Sequence, residues 1–247
     1  MIFVTGDIHG NPRRFSVNNF PEQVEMTRDD FVIILGDFGL VWSGSKEENY
    51  WLDWLDNKTF TTLFIDGNHE NFDLLYTYPV VDLHGGKAHK IRDNIYHLMR
   101  GHVFELCGKK LFAFGGASSH DIQDGILDPH DPDFRKTYKR WKRNGRMFRV
   151  KGVSWWDQEM PNEEEMEQGR QSLKKVDNKV DYVLTHCAPQ EVSSLLGFND
   201  RNKLTGYLNE LIQDGLQFDR WFCGHMHIER QIMGKFMVLY EQIIRII

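Results

Sequence analysis

The chain has 247 residues, of which 40% are hydrophobic and 27% are charged, as in an ordinary globular protein. Its 30 basic and 36 acidic residues give a net charge of −6, which argues against a protein that coats nucleic acid or lies on a membrane surface. No apolar run approaches a membrane span and no basic-then-apolar leader opens the chain, so we expect neither membrane association nor a signal peptide. The cysteines lack C-x-x-C spacing, which favours a reducing, cytoplasmic setting.

The first apolar run, Met1–Val4, is followed closely by Asp7 and His9. In extended backbone, residues two apart point to the same side, so we expect these two side chains to reach one point. Four later apolar runs end in the same way: Phe31–Leu35 before Asp37, Thr62–Ile65 before Asn68, Tyr182–Thr185 before His186, and Trp221–Cys223 before His225 and His227. Such runs are typical of buried strands, and functional groups in α/β folds lie beyond the carboxyl ends of strands. The pattern therefore predicts that these polar side chains converge at one edge.

The chemistry of these side chains indicates a metal centre. Seven oxygen and nitrogen ligands are more than one tetrahedral zinc ion takes, and they suit two metal ions that share a bridging carboxylate. The set contains no thiolate, which argues against a structural zinc site. Imidazole, carboxylate and amide ligands together fit Mn, Fe, Zn or Co better than Mg alone.

Helices and further strands are predicted between the polar strand ends. A short helix is expected from Asn11 to Phe20, an amphipathic helix from Glu47 to Leu55, and another short helix from Asn71 to Tyr76. Glycine- and asparagine-containing turns divide Val80–Phe114 into short strands, which predicts antiparallel hairpins in a second sheet.

The stretch from about 122 to 162 differs from the rest of the chain, and we expect it to form an insert or a lid. An acidic run begins at Asp157. Before it stand nine basic residues: Arg135, Lys136, Lys139, Arg140, Lys142, Arg143, Arg146, Arg149 and Lys151. One interpretation is that the 135–151 segment attracts an anionic substrate or nucleic acid. The other, slightly favoured, is that it neutralises the acidic run across a surface.

The last third of the chain returns to alternating helices and strands. A helix is predicted from a capping box at Asn162 to about Val176, a strand over Val180–Thr185, and a helix over Asn202–Ile212. Phe236–Tyr240 and Ile243–Ile247 are expected to close the second sheet. No repeat or linker is present, so we expect a single domain over residues 1–247.

Taken in order, Asp-x-His, Gly-Asp, Gly-Asn-His-Glu, a lone His and Gly-His-x-His resemble the calcineurin-like metallophosphoesterase family, in a bacterial or phage-type form. The resemblance implies an α/β fold, a four-layer α/β/β/α sandwich with two mixed β-sheets. It also implies two divalent metal ions, with Mn²⁺ expected first and Fe, Zn, Co or Ni as alternatives. The implied reaction is hydrolysis of a phosphodiester or a nucleotide-type phosphomonoester by in-line attack of a metal-bridging hydroxide.

The resemblance also assigns roles to individual residues. The first metal would be held by Asp7, His9, Asp37 and His227. The second would be held by Asp37, Asn68, His186 and His225, with Asp37 bridging. His69 matches the histidine of the family that is not a ligand but faces the substrate and protonates the leaving oxygen. Catalysis would therefore depend on His69 and Asp37.

The segment Phe38–Trp42 departs from the pattern of the protein phosphatases in this family, which continue with V-D-R-G and use its arginine to bind phosphate. This departure disfavours a protein phosphatase. Glu70 is a candidate to orient His69. Candidate substrate contacts are Arg13, Trp42, His120 and Asp121.

The expected substrate is a small phosphoester or a nucleotide. The alternatives are a nuclease that uses the 135–151 segment, a protein phosphatase, and a non-catalytic scaffold.

Overall fold

The computed structural model describes residues 1–247. The apolar runs of the sequence form short strands, and most of those in the first third are fully buried. The strands are β1 Ile2–Thr5, β2 Phe31–Ile34, β3 Thr61–Phe64, β4 Val80–Leu83, β5 Gly86–Arg92, β6 Ile95–Leu98, β7 His102–Leu106, β8 Lys109–Phe114, β9 Gly125–Leu127, β10 Phe148–Val150, β11 Tyr182–Thr185, β12 Arg220–Cys223, β13 Arg230–Ile232, β14 Phe236–Val238 and β15 Ile244–Arg245.

Four of the six helices begin after a polar residue whose side chain accepts a hydrogen bond from a free backbone N–H group of the first turn. Ser45 caps the first helix, and Asn162 caps the fourth in a capping box with Glu165, as its sequence predicts. The helices are α1 Lys46–Asp56, α2 Phe72–Leu75, α3 Phe134–Arg143, α4 Glu163–Lys174, α5 Gln190–Leu195 and α6 Lys203–Gln213. The expected helix over 11–20 is instead a short 3-10 turn, Pro12–Phe15.

Two large mixed sheets form the body of the protein. The first has seven strands in the order β15-β1-β2-β3-β6-β5-β4, and β1, β2, β3 and β6 are parallel. The second has six strands in the order β13-β14-β12-β11-β8-β7, and β8, β11, β12 and β14 are parallel. A separate parallel pair, β9 and β10, lies within the stretch 122–162. The carboxyl ends of the central strands of both sheets therefore carry the polar motifs.

Two assignments to the second sheet were wrong. The prediction placed all of Val80–Phe114 there, but β4, β5 and β6 extend the first sheet because β6 pairs in parallel with β3. Ile243–Ile247 was also placed in the second sheet, but β15 pairs antiparallel with β1. Turn residues determine which strands form hairpins, whereas the choice of sheet depends on pairings between distant residues. Local sequence patterns do not carry that information.

Three apolar clusters hold the sheets and helices together. One combines residues of both sheets, among them Val4 of β1 and Leu184 of β11. The second joins the first sheet to α1 through Leu52 and Leu55. The third joins the second sheet to α4, α5 and α6. The fold is mixed α/β with two large mixed sheets, as predicted; these clusters support the four-layer arrangement, which stays a prediction.

None of the helices is both long enough and apolar enough to cross a lipid bilayer. The single domain and the cytoplasmic setting stay predictions.

Candidate metal centre

The predicted ligands lie in loops that directly follow strands of both sheets. Asp7 and His9 follow β1 of the first sheet, and Asp37 and Asn68 follow β2 and β3. The other three histidines, His186, His225 and His227, follow β11 and β12 of the second sheet. The side chains converge through turns rather than through extended backbone. His9, Asp37, His225 and His227 all have positive φ values, between 45° and 67°. Asp7 and His9 therefore lie close together, as expected, but because of a turn at His9 and not because residues two apart share a side of an extended strand.

One cluster of potential ligands contains Asp7, His9 and His227. Asp7 Oδ2 lies 3.1 Å from His227 Nε2 and 3.8 Å from His9 Nε2. The two imidazole Nε2 atoms lie 3.0 Å apart. These three side chains therefore present one oxygen and two nitrogens to a single point, as the predicted first metal site requires.

A second cluster contains Asp7, Asp37 and His186, all of them buried. His186 Nε2 lies 3.3 Å from Asp37 Oδ1, while Asp37 Oδ2 lies 3.8 Å from His9 Nδ1. Asp37 thus contacts a histidine of each predicted metal site. This position supports its predicted bridging role, which stays a prediction.

The tautomer of His186 follows from its hydrogen bond. Its Nδ1 lies 2.6 Å from the carbonyl oxygen of Leu35, which can only accept, so Nδ1 carries the hydrogen and donates it. In the neutral ring, as a metal ligand requires, the lone pair of Nε2 then faces the cluster. Burial opposes a charge on this ring, but the carboxylates of Asp37 and Asp7 outweigh it and raise the pKa of His186 to about 10. In the absence of a cation, the imidazole itself therefore carries the charge that balances these carboxylates.

Three buried polar atoms of the centre form no hydrogen bond of good geometry: Asp7 Oδ2, Asn68 Oδ1 and His186 Nε2. Asp7 Oδ2 and His186 Nε2 have ion-pair contacts only, with His227 and Asp37. Buried polar atoms without partners are costly, so each such atom needs an explanation. The three atoms are a carboxylate oxygen, an amide oxygen and an imidazole nitrogen, which are ligands for divalent metal ions. The residues present therefore fit the predicted metals.

Glycines leave the space that these ligands occupy. A Cβ built on Gly67 would overlap Asp37 Oδ1, and a Cβ built on Gly224 would overlap Asp7 Oδ1. Any larger residue at either position would displace a carboxylate of the centre. This requirement explains why the polar strand ends are flanked by glycine.

His225 lies on the far side of His186, with a ring-centroid separation of 4.9 Å. Its backbone N–H donates to Asp7 Oδ1 at 3.0 Å. Its Nε2 lies 2.7 Å from Nε2 of His120, which is exposed. Burial lowers the pKa of His225 well below its usual value, so the ring is neutral and can act as a ligand. His120 therefore lies beside the predicted second metal site, where it was expected to contact substrate.

His69 stands at the mouth of the centre without belonging to either cluster. Its backbone N–H donates to Asp37 Oδ1 at 2.8 Å, and its ring lies 5.4 Å from the ring of His9. Burial lowers its pKa, the carboxylate of Asp37 raises it, and the guanidinium of Arg149 adds to the lowering. The structure thus places His69 where the prediction requires it, while its catalytic role stays a prediction.

Glu70 does not orient His69. Its carboxylate accepts hydrogen bonds from the backbone N–H groups of Phe38, at 2.7 Å, and Gly39, at 3.2 Å. Burial, together with the nearby Asp37, raises the pKa of Glu70 well above its usual value. The residue therefore fixes the loop that follows Asp37.

A cavity of about 420 Å³ opens over the centre, and both His120 and Asp121 line it. Arg13 and Trp42 do not. Arg13 lies over the ring of Trp51 at 5.3 Å, and Trp42 packs edge-on against Trp156. Their roles as substrate contacts stay predictions.

Sequence reasoning missed two contributions from the stretch 122–162. Arg149 reaches the ring of His69, and Glu159 accepts hydrogen bonds from the backbone and hydroxyl of Ser119, at 3.0 and 2.6 Å. The Ser119 hydroxyl in turn lies 3.4 Å from the amide nitrogen of Asn68 and orients it. The sequence points to Arg149 only indirectly: the segment after Asp37 lacks the arginine that the family's protein phosphatases have there, so a phosphate-binding arginine would have to come from elsewhere in the chain.

No sequence among the curated proteins is similar enough to match this chain. A family model described as calcineurin-like phosphoesterase matches residues 1–229. The match covers every strand end that contributes to the centre. Its description agrees with the resemblance seen in the motifs and implies a metal-dependent hydrolase of phosphoesters. The chain therefore belongs to the calcineurin-like phosphoesterase family.

Proposed function

We propose that the protein hydrolyses a small phosphoester, either a phosphodiester or a nucleotide-type monoester, with two divalent metal ions. The observation that carries this proposal is the convergence of three unpartnered buried ligand atoms, on Asp7, Asn68 and His186, below an open cavity. The cavity volume of about 420 Å³ suits a ligand of nucleotide size. Mn²⁺ is the first metal to test.

The ligand roles follow the family motifs. Asp7, His9, Asp37 and His227 would hold one ion, and Asp37, Asn68, His186 and His225 the other. When bound, the two ions would polarise the phosphoryl oxygens and lower the pKa of a water molecule that attacks phosphorus in line.

The chain's own residues supply position and a proton. The backbone of His69 is fixed by Asp37, so its ring faces the cavity at a set distance from the ligands. From there it donates a proton or a hydrogen bond to the leaving oxygen. Glu159, through Ser119, holds the amide of Asn68 so that its oxygen faces the centre.

The test is to reconstitute the purified protein with Mn²⁺ and assay p-nitrophenyl phosphate beside bis-p-nitrophenyl phosphate. Preference for the diester indicates a phosphodiesterase, and preference for the monoester indicates a phosphatase. His69→Ala should lower turnover by about 10²–10⁴-fold, the usual contribution of general acid catalysis, with metal content unchanged. Loss of metal from this variant would make His69 a ligand and contradict its assignment.

A scaffold without activity is the alternative from another class. It would show neither turnover nor bound metal in the reconstituted protein. The complete set of ligands argues against it, and metal analysis of the wild-type protein decides between the two.

A second candidate function is a nuclease, and α3 is the observation that favours it. No residue of this helix is buried, and none of its six cationic side chains forms an ion pair. The six are Arg135, Lys136, Lys139, Arg140, Lys142 and Arg143. Of the ion pairs between the basic segment and the acidic run, one is present: Asp157 pairs with Lys151, which lies outside the helix. Mutual neutralisation of the two runs therefore receives little support from the contacts.

The aromatic side of α3 packs on the strand that carries Arg149. Tyr138 and Trp141 contact Phe148 with ring separations of 5.5 and 5.4 Å. The helix therefore packs on the strand from which Arg149 reaches His69, a residue that lines the cavity. Lys142→Glu with Arg143→Glu should then lower kcat/KM for an oligonucleotide and leave bis-p-nitrophenyl phosphate unaffected. Equal kcat/KM of wild type and variant on the oligonucleotide would exclude this use of the helix.

A further inference from the structure

Arg149 extends from β10 of the insert across the mouth of the metal centre. One of its terminal nitrogens, Nη2, lies 3.4 Å from Nδ1 and 3.3 Å from Nε2 of His69. Nearly equal distances to both ring nitrogens show that the guanidinium is not directed at either one and lies against the ring. The side chain is 17% exposed, and the two residues that it contacts here, His69 and Asp121, both line the cavity. Arg149 thus stands beside the residue expected to meet the leaving group.

The hydrogen bonds of Arg149 leave some of its donors free. Its Nε donates to Asp121 Oδ1 at 2.8 Å, Nη2 lies 2.7 Å from Asp121 Oδ2, and Nη1 donates to the carbonyl of Ser154 at 3.2 Å. A guanidinium has five N–H donors. These three contacts use one donor on each nitrogen, and Nη2 also lies within hydrogen-bond distance of the ring nitrogens of His69. One N–H of Nη1 therefore has no partner, while the second N–H of Nη2 faces the His69 ring. Together these two groups can bind two oxygens of a phosphoryl group, as a guanidinium fork does.

No other arginine is available at this position. The segment Phe38–Trp42 after Asp37 carries no basic residue. Arg14 is committed elsewhere, since it donates to the backbone carbonyls of Asp7 and Tyr240. The parallel pairing of β9 with β10 aligns Arg149 with Ile126 and so fixes the base of the arm.

We propose that Arg149 binds the non-bridging oxygens of the substrate's phosphoryl group beside His69, and that Asp121 is a positioning residue that holds the guanidinium in place. This inference rests on the proposed phosphoesterase function. Asp121 also balances the charge of Arg149, so the arm contributes hydrogen bonds with little net positive charge. An arm of this kind suits a singly charged phosphodiester at least as well as a doubly charged monoester. Asp121, expected from sequence to contact substrate, acts through Arg149 instead.

The experiment compares Arg149→Gln, Arg149→Lys and Asp121→Asn with wild type, all loaded with Mn²⁺. The first readout is the dissociation constant of inorganic phosphate by calorimetry, with metal content measured alongside. Arg149→Gln should weaken phosphate binding by about 10-fold or more, because charge-assisted forked hydrogen bonds are lost. Arg149→Lys should restore only part of it, because an ammonium lacks the fork. Asp121→Asn should raise the ratio of monoester to diester kcat/KM, because the arm gains a net charge.

Arg146→Gln is the matched control. Arg146 lies in the same segment and pairs with Asp124 at 2.7 Å, but it is 56% exposed and its partner does not line the cavity, whereas the partner of Arg149, Asp121, does. It should bind phosphate and turn over both nitrophenyl esters as wild type does. Wild-type phosphate binding and kcat/KM in Arg149→Gln, with metals retained, would overturn the inference and leave the proposed function standing. A wild-type protein that binds two metals but neither phosphate nor ester would overturn both.

Discussion

Two buried polar clusters lie on either side of one short loop, and they differ in how their polar atoms are satisfied. Asp66 begins the loop after β3 and faces Arg100 and His97. It accepts hydrogen bonds from Arg100 Nε at 2.9 Å and Nη2 at 2.5 Å, and from His97 Nε2 at 3.0 Å. The buried carboxylate is thus matched by a buried cation, and these contacts hold its pKa below the usual range. This cluster is complete within the chain.

Asn68, two residues later in the same loop, belongs to the metal centre, whose polar atoms are not all satisfied by the protein. Asn68 Oδ1, His186 Nε2 and Asp7 Oδ2 have no hydrogen-bond partners, although all three are buried. The carboxylate of Asp7 contacts His227 and that of Asp37 contacts His186, and neither carboxylate pairs with an arginine or a lysine. The comparison teaches that the fold can match a buried carboxylate internally when stability alone is required. Where it does not, the missing charge is left for bound cations to supply.

The sharpest test of the complete cluster removes its cation. Arg100→Met should lower the free energy of unfolding by about 3–5 kcal/mol, because it leaves Asp66 charged and unpaired in the interior. Urea denaturation measures the change. Arg92→Met is the control: its ion pair with Asp53, at 3.0 Å, lies at the surface and should contribute less than about 1 kcal/mol. A loss below 1 kcal/mol in Arg100→Met would mean that this pair does not complete the cluster.

In the metal centre, the main effect of removing a charge is expected on metal binding and turnover. Asp37→Asn should lower turnover by about 10²–10³-fold, the size of effect seen when one electrostatic contact to the reacting group is lost. Metal analysis should show loss of bound Mn²⁺. The metal-free variant should be less stable than the metal-free wild type, because the Asp37 carboxylate balances the protonated ring of His186 when no cation is bound. Asp219→Asn, at an exposed carboxylate, controls for charge, and full metal retention in Asp37→Asn would contradict the assignment.

Metal removal should affect stability through this centre alone. With free Mn²⁺ at about 100 times its dissociation constant, binding should add about 2.7 kcal/mol to the free energy of unfolding, and chelation should abolish that gain. The same increment should appear in Arg100→Met and be absent from Asp37→Asn. Thermal scans with and without chelator measure it. Equal increments in both variants would mean that the metal binds elsewhere.

The smallest expected effect concerns pH. Asp66 can only accept, so His97 donates from Nε2, and its Nδ1, at 3.0 Å, accepts from His89 Nδ1. Burial and then the proximity of His97 lower the pKa of His89 to about 4. The folded state therefore disfavours the protonated ring, and stability should fall as pH drops from about 6.5 towards 4.

His89→Gln should remove about 1–2 kcal/mol of that dependence, because the variant lacks the buried ring whose pKa is lowered in the folded state. Tyr76, which stacks on His89, and Arg100 are unchanged in this comparison. Unfolding free energies measured at pH 7 and pH 4.5 give the difference, with the exposed His130→Gln as control. A slope equal to that of wild type would show that His89 titrates normally.

The sequence predicted the metal centre better than its surroundings, for a physical reason. Asp7, Asp37, Asn68 and the four histidines follow apolar runs flanked by glycine, and both signals are local. Arg149 is separated from His69 by 80 residues, and nothing near it in sequence distinguishes it from the eight other basic residues of the segment. The same limit explains why β4–β6 were placed in the wrong sheet: partner choice depends on distant strands. The left-handed backbone of the ligand loops was also outside what residue spacing reveals.

That left-handed backbone has a consequence for protein engineering. His9, Asp37, His225 and His227 each hold a conformation that costs a non-glycine residue about 1–2 kcal/mol and costs glycine little. A library screened only for heat resistance would therefore enrich glycine at these four positions, and each gain would dismantle part of the centre. Stabilising campaigns on this scaffold should keep the four codons fixed and search elsewhere.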